Sequence, residues 1–258
     1  MNWRCIVIAI ELIILCLLLV RSNNLEGYED DCLKNPNEKD YDYILKWWED
    51  FCKEHNLNYS LAYGTMLGYK RNKNYIPWDL DMDTFIGKKD AEKLIELEKT
   101  IPNIFLNNMK RKNKDEIFIV LTNDHNTNLD PSISSIHSQK ERGRFNCEGN
   151  PVNDQIDNCS FNELFGRIVY NNVHCDLFVW FKSKDNQDKC SLCKGEYCVY
   201  SPTYLGSDLP ETKKIKLNGV NTRILKDENL IESLFIMKYG KDYMKPDHKC
   251  EKSKWKKV

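Results

Sequence analysis

The chain has 258 residues, 41% of them hydrophobic, and 38 Lys and Arg against 39 Asp and Glu give a formal net charge of −1. That is enough apolar material for a sizeable core in one or two domains. The near-neutral balance excludes a general nucleic-acid binder held by phosphate attraction.

The N-terminus differs from everything after it. Arg4 precedes an apolar run from Cys5 to Val20, broken by Glu11 and closed by Arg21. The run is slightly short for a membrane span and slightly long for a signal-peptide core, so residues 1–22 read as a signal peptide or a signal-anchor. The lack of a small-x-small cleavage site before Ser22 favours an anchor, and Glu11 favours cleavage. Either way the body is sent into the secretory lumen, as a single-pass type II protein of the ER or Golgi or as a secreted one, and Arg4 agrees with that orientation.

Cysteine usage fits such a compartment. Nine cysteines lie beyond the apolar run: Cys32, Cys52, Cys147, Cys159, Cys175, Cys190, Cys193, Cys198 and Cys250. Disulfides are the expectation, their connectivity is open, and the odd count leaves at least one thiol free or intermolecular. Cys190, Cys193 and Cys198 have a second reading as part of a zinc site that needs a fourth ligand. Two glycosylation sequons, Asn58-Tyr59-Ser60 and Asn158-Cys159-Ser160, also suit a lumenal protein, the second being the better placed in a loop-like stretch.

Residues 23–39, rich in acidic residues and Asn, read as a stalk. Tyr41, Ile44, Leu45, Trp48, Phe51 and Cys52 then recur at helical spacing and predict a helix ending near His55-Asn56. Trp47 and Trp48 belong to that core stripe rather than to a carbohydrate platform. Tyr59 to Ala62 predicts a core strand, Gly64-Thr65 a turn too tight for a Cβ at position 64, and Met66 to Lys70 a short helix. A basic cluster, Lys70-Arg71-Asn72-Lys73, follows. Pro77 pushes Ile76 toward an extended conformation and launches a strand carrying Asp79, Asp81 and Asp83, with Trp78 beneath it.

Residues two apart on a strand share a face, so the three aspartates are expected to project together. Two carboxylates about 5 Å apart repel by roughly 3 kcal/mol at an effective dielectric near 20, which calls for a divalent partner. Oxygen ligands suit Mg²⁺ or Mn²⁺, metals that accompany phosphate-bearing substrates. A solvated loop is the plainer alternative. A calcium loop is excluded, because Thr84 and Asp90 stand where its Gly and Glu are required. The start of the short helix offers backbone N–H groups to phosphate.

Further along, Lys88 to Thr100 predicts a helix and Ile117 to Leu121 a strand covered on both faces. The polar stretch from Thr122 to Phe161 carries Lys140, Arg142 and Arg144, either a pyrophosphate clamp or a solvated basic loop. Gly166–Tyr170 and Val173–Phe181 form a hairpin turning at Asn171-Asn172. Asp176 interrupts the second strand, and a buried carboxylate there must meet a strong donor, with Arg167 across the hairpin, or a metal. A second hairpin, Lys213–Leu217 with Val220–Leu225, turns at Asn218-Gly219, and Asp227 caps a last helix buried through Leu230, Ile231, Leu234 and Phe235. Residues 247–258 read as a solvated basic tail.

Tyr63-Gly64-Thr65-Met66-Leu67-Gly68, Arg71, and Ile76-Pro77-Trp78-Asp79-Leu80-Asp81-Met82-Asp83 form one ordered series. Together with His174-Cys175-Asp176-Leu177-Phe178 and Tyr239-Gly240-Lys241-Asp242-Tyr243-Met244, it resembles the signature of the LicD family, which includes the fukutin-like enzymes. Asn72 and Asn74 depart from it, standing where the family often has His and Gly. Asn tolerates left-handed backbone, so the turn can survive.

The resemblance implies that residues 40–246 are an α/β domain of the nucleotidyltransferase type, a mixed sheet flanked by helices. It implies metal-dependent transfer of a substituted phosphate, phosphocholine or ribitol phosphate, from a CDP-activated donor to a glycan hydroxyl. Asp81, Asp83 and Asp176 would hold one or two Mg²⁺ ions, with Asp79 buttressing them or ligating the second. Gly64 and Thr65 would contact donor phosphate, Arg71 would pair with it bidentately, and Asp176 would take the acceptor proton. Two rivals stand beside it: a lumenal Asp-x-Asp glycosyltransferase using Mn²⁺ and a nucleotide sugar, and a secreted binding protein that kept the scaffold and lost catalysis.

Overall fold

A computed structural model describes residues 32, 34–105, 115–121, 144–145, 151–152, 165–171, 173–180, 208–251 and 254–258. Helix α1 (Glu38–Glu54) buries Tyr41, Ile44, Leu45, Trp48, Phe51 and Cys52, the stripe expected from spacing, and Trp48 is wholly enclosed. The chain continues through β1 (Tyr59–Leu61), α2 (Tyr63–Asn72), β2 (Met82–Ile86) and α3 (Lys88–Thr100), which buries Ala91, Leu94, Ile95 and Glu98. A 3-10 turn (Pro102–Ile104) and β3 (Phe118–Leu121) follow, then the short pair β4 (Arg144–Phe145) and β5 (Pro151–Val152). The remainder is β6 (Gly166–Tyr170), β7 (Val173–Val179), β8 (Thr212–Leu217), β9 (Val220–Leu225), α4 (Glu228–Tyr239), β10 (His248–Glu251) and β11 (Lys254–Lys257).

Five strands form one mixed sheet in the order β1-β2-β7-β6-β3. Within this sheet β2 and β7 run parallel, and the other described strand pairs are antiparallel. A central parallel pair needs long crossovers and cover on both faces, and every residue of β2 and all of β7 but His174 are buried. Along β7, side chains alternate, so Cys175, Leu177 and Val179 face one way and His174, Asp176 and Phe178 the other. Helix α1 packs on β6, β7 and β9 with Cys52 close to Cys175, which puts the Asp176 face on the opposite side of the sheet.

Local chemistry explains the connections that were legible. Asn218 and Gly219 both take positive φ, 46° and 82°, as a two-residue hairpin turn demands. The Asp227 carboxylate accepts the amides of Asn229 and Leu230 and caps α4. Asn171, at φ 49°, opens the β6–β7 hairpin.

Four expectations are corrected. The aspartates do not share one strand: β2 starts at Met82, so Asp83 lies on it while Asp79 and Asp81 lie in the approach to it. The left-handed residue ending α2 is Lys73 at φ 59°, not Asn72 or Asn74, and its carbonyl is held by the Asn218 amide. The C-terminal residues are not a free tail but the β10–β11 hairpin, and a Cys32–Cys250 disulfide ties it to the segment before α1. That segment is no stalk at its end, since Cys32 and Asn35 are buried.

Cys52 and Cys175 are buried free thiols. The Asn58 sequon is built into the fold: its side-chain oxygen accepts from Thr212 and Arg223, and Ser60 is buried. The Asn158 sequon, the Cys190–Cys198 loop, Lys140, Arg142 and the apolar run at 5–20 lie outside the described residues. Among the described residues no helix is long and apolar enough to cross a membrane.

Candidate active site

The parallel pairing of β2 with β7 sets Asp83 directly beside Asp176. The antiparallel pairing of β7 with β6 sets Asp176 opposite Arg167. Three ionisable side chains from distant parts of the chain therefore meet on one face by strand register alone. His174, two residues before Asp176, shares that face.

The other two aspartates are positioned by the turn before β2. The Asp79 amide donates to the Ile76 carbonyl (3.1 Å). Asn35 clamps the same turn, its side-chain nitrogen donating to the carbonyls of Ile76 (2.9 Å) and Asp79 (2.7 Å). Trp78, expected beneath the strand, instead packs against the C-terminal hairpin, with ring centroids 4.9 Å from His248 and 4.5 Å from Trp255.

Opposite stands the β1–α2 turn. Tyr63 has φ 33°, a strained value for an aromatic residue, held by edge-on packing of its ring against Phe85 and Phe178. The positive φ thus falls at Tyr63 rather than at Gly64. Position 64 admits a side chain only if Asp79 moves, because a Cβ there would lie 2.3 Å from the Asp79 carboxylate. The Gly64 amide donates to Asp83. Thr65, expected to touch phosphate, is buried, and its hydroxyl accepts the Asp83 amide (2.8 Å), so it acts on the site by fixing β2. Arg71 spends its Nε and Nη2 on the backbone carbonyls of Tyr243 and Lys245, tying α2 to the segment after α4 in place of the expected bidentate grip.

These elements enclose a cavity of about 810 Å³, large enough for a nucleotide-sized ligand. Asp79, Asp81, Asp83, Asp176 and Arg167 line one part. Arg71, Lys238, Tyr239, Tyr243 and Lys245 line another. Gly64 reaches the cavity and Thr65 is not among its lining residues.

Crowding makes the carboxylates unequal. Burial, and then the charge of Asp81, push the Asp79 carboxyl up to about 7. Burial also raises Asp81, but His174, 3.8 Å away, and the charge of Arg167 outweigh it and hold this carboxyl below the usual range. Asp83 is driven well above its ordinary value by burial and by Asp81, Asp176 and Asp79. Asp176 is raised by burial despite Arg167, whose guanidinium donates to both of its oxygens (2.5 and 3.0 Å). The ion pair and the place beside Asp81 and Asp83, alternatives in the sequence, coexist in the structure.

The donor set fits a divalent metal. Ligand atoms of Asp81, His174 and Asp176 lie within 4.8 Å of one another. Two carboxylates and an imidazole converging there are oxygen and nitrogen donors of the kind that Mn²⁺ or Mg²⁺ would take. His174 is the site residue that sequence reasoning passed over. Its alternation with Asp176 on a predicted strand was the available signal.

The family model described as LicD/FKTN/FKRP nucleotidyltransferase domain matches residues 56–146. The lipopolysaccharide cholinephosphotransferase LicD of Haemophilus influenzae is 32% identical over 54 residues, 21% of this chain and 20% of that protein. The chain is thus similar to the LicD family over residues 56–146, and it spans about a fifth of the length of that curated relative. The stretch matched to the LicD model holds Gly64, Thr65, Arg71, Asp79, Asp81 and Asp83. Arg167, His174 and Asp176 lie beyond it; β6 and β7 carry Arg167 and Asp176 to the same cavity and His174 to the side of Asp81.

Proposed function

We propose that this LicD-type domain transfers a substituted phosphate, of the phosphocholine or ribitol-phosphate kind, from a CDP-activated donor to a glycan hydroxyl, with Mg²⁺ or Mn²⁺. The observation that carries the reading is the meeting of Asp81, Asp83 and Asp176, from two segments far apart in sequence, in one cavity of nucleotide size. The related protein's name as a cholinephosphotransferase supports the reaction class.

Asp81, His174 and Asp176, with Asp83 beside them, would hold the ion, which would neutralise charge on the donor diphosphate. Lys238 and Arg71 add positive charge on the facing wall. Asp176 was the expected proton acceptor, but both its oxygens receive bonds from Arg167. Asp79 suits that role better: it lines the cavity and its carboxyl is lifted to about 7, matched to taking a proton near neutrality. Asp79→Asn should therefore lower kcat by about 10²–10⁴-fold while Mn²⁺ binding persists. Loss of the ion together with the rate would assign Asp79 to the metal instead.

The deciding assay incubates the purified chain with CDP-choline, CDP-ribitol and a panel of sugar nucleotides, in Mg²⁺ or EDTA. Metal-dependent CMP release from a CDP donor is expected, and Asp81→Asn should fold and abolish it. Transfer at the wild-type rate by Asp81→Asn removes the metal role, and turnover of sugar nucleotides alone makes the chain a glycosyltransferase. We place the domain in the secretory lumen, a reading supported by the Cys32–Cys250 disulfide, which persists in oxidising compartments.

A further inference from the structure

We propose that Arg167 is a fixed positive charge occupying the place of a second metal ion, so that the site takes one divalent cation, on the His174 side of Asp176. This rests on the metal-dependent reading above. Arg167 lies directly opposite Asp176 in the β6–β7 ladder, and its Nε and Nη2 reach the two carboxylate oxygens at 2.5 and 3.0 Å. The side chains are only 6% and 8% exposed, so water screens the pair little. A guanidinium does not lose its proton in a protein, so this charge is permanent.

The geometry leaves room for one ion. The Arg167 guanidinium already occupies both oxygens of Asp176 and offsets its charge. His174 Nε2 is 3.9 Å from Asp176 Oδ1, the oxygen that also receives Arg167 Nε, and 3.8 Å from Asp81 Oδ2. That is where the three ligand atoms converge. A second ion bridging Asp83 and Asp176 would have to displace the guanidinium fork.

The test counts Mn²⁺ bound to the nucleotide-free full chain by the loss of the free-ion EPR signal, with thermal unfolding followed in parallel. Wild type should bind one Mn²⁺ per chain. Arg167→Gln should bind two, or one at least tenfold more tightly, and Mn²⁺ should restore most of the Tm it loses. Arg167→Lys keeps the charge and should match wild type in stoichiometry. If Arg167→Gln does not fold alone, it is refolded in Mn²⁺, and failure there also overturns the proposal, because the ion would then be unable to replace the guanidinium. Two ions on wild type, or a folded Arg167→Gln with wild-type stoichiometry and affinity, overturns the role of Arg167 and leaves metal-dependent transfer standing. No Mn²⁺ on wild type, with CMP release persisting in EDTA, removes both.

Discussion

Two glycines of one helix illustrate how differently a single methyl group can act. A Cβ at Gly64 would press on the tip of the Asp79 side chain, whereas one at Gly68 would lie 2.5 Å from the Asn74 carbonyl oxygen and 3.0 Å from the Ile76 amide. A carboxylate can swing away, but the backbone of the following turn cannot. Gly68→Ala should therefore cost about 1–3 kcal/mol of stability, as overpacking does. Gly64→Ala should cost less than that and yet lower the transfer rate at least tenfold, because the displaced group is Asp79. Urea denaturation and initial rates on the two variants check the contrast. A Gly64→Ala enzyme of wild-type rate would mean that Asp79 has no defined task.

Between elements, the basic end of α2 is fastened by Glu228 at the start of α4, which takes Lys213 and Lys70 at 2.5 Å each. Those two hydrogen bonds hold the Glu228 carboxyl down at about 2, against an ordinary 4.5. A carboxyl depressed in the folded state adds stability above its unfolded pKa, and that contribution fades as the pH falls from about 4.5 toward 2. Glu228 is half exposed, so the contribution should stay under about 1 kcal/mol. Glu228→Gln should thus be slightly less stable than wild type at pH 7, with the gap in urea midpoint closing as the pH drops below 4. A gap that does not change with pH would mean that packing, not charge, carries the contact. The elements legible in the sequence are those whose cause is equally local: the stripe of α1, the Asn218-Gly219 turn, the Asp227 cap. The illegible ones depend on partners distant in sequence. Lys73 turns left-handed where Asn218 receives its carbonyl, and Tyr63 holds a positive φ because Phe85 and Phe178 fix its ring. The site divides the same way: the aspartates announce themselves by type and spacing and Arg167 by its place across a predicted hairpin, while the part played by His174 depends on how the distant strands pair.

Across the whole molecule, both ends of the described chain converge on the turn that presents Asp79 and Asp81. Asn35 holds the carbonyls of Ile76 and Asp79 from one side, and His248 and Trp255 pack on Trp78 from the other. The Cys32–Cys250 disulfide joins these two supports across 218 residues of sequence. Closing so long a loop restricts the unfolded chain, and a stabilisation of about 2–5 kcal/mol is the ordinary range for such a bond. Its local effect should be the sharper one. Once the bond is reduced, the hairpin is held to the rest mainly by the Trp78 cluster, and its departure would free the turn before the sheet unfolds. Reduction with dithiothreitol, or Cys32→Ser with Cys250→Ser, should speed amide exchange at residues 76–81 well before exchange rises in β2 and β7, and should cut transfer severalfold at temperatures where the sheet is intact. Equal protection of the turn with and without the disulfide would show that Asn35 and Trp78 hold the aspartates unaided, leaving the bond a purely global stabiliser.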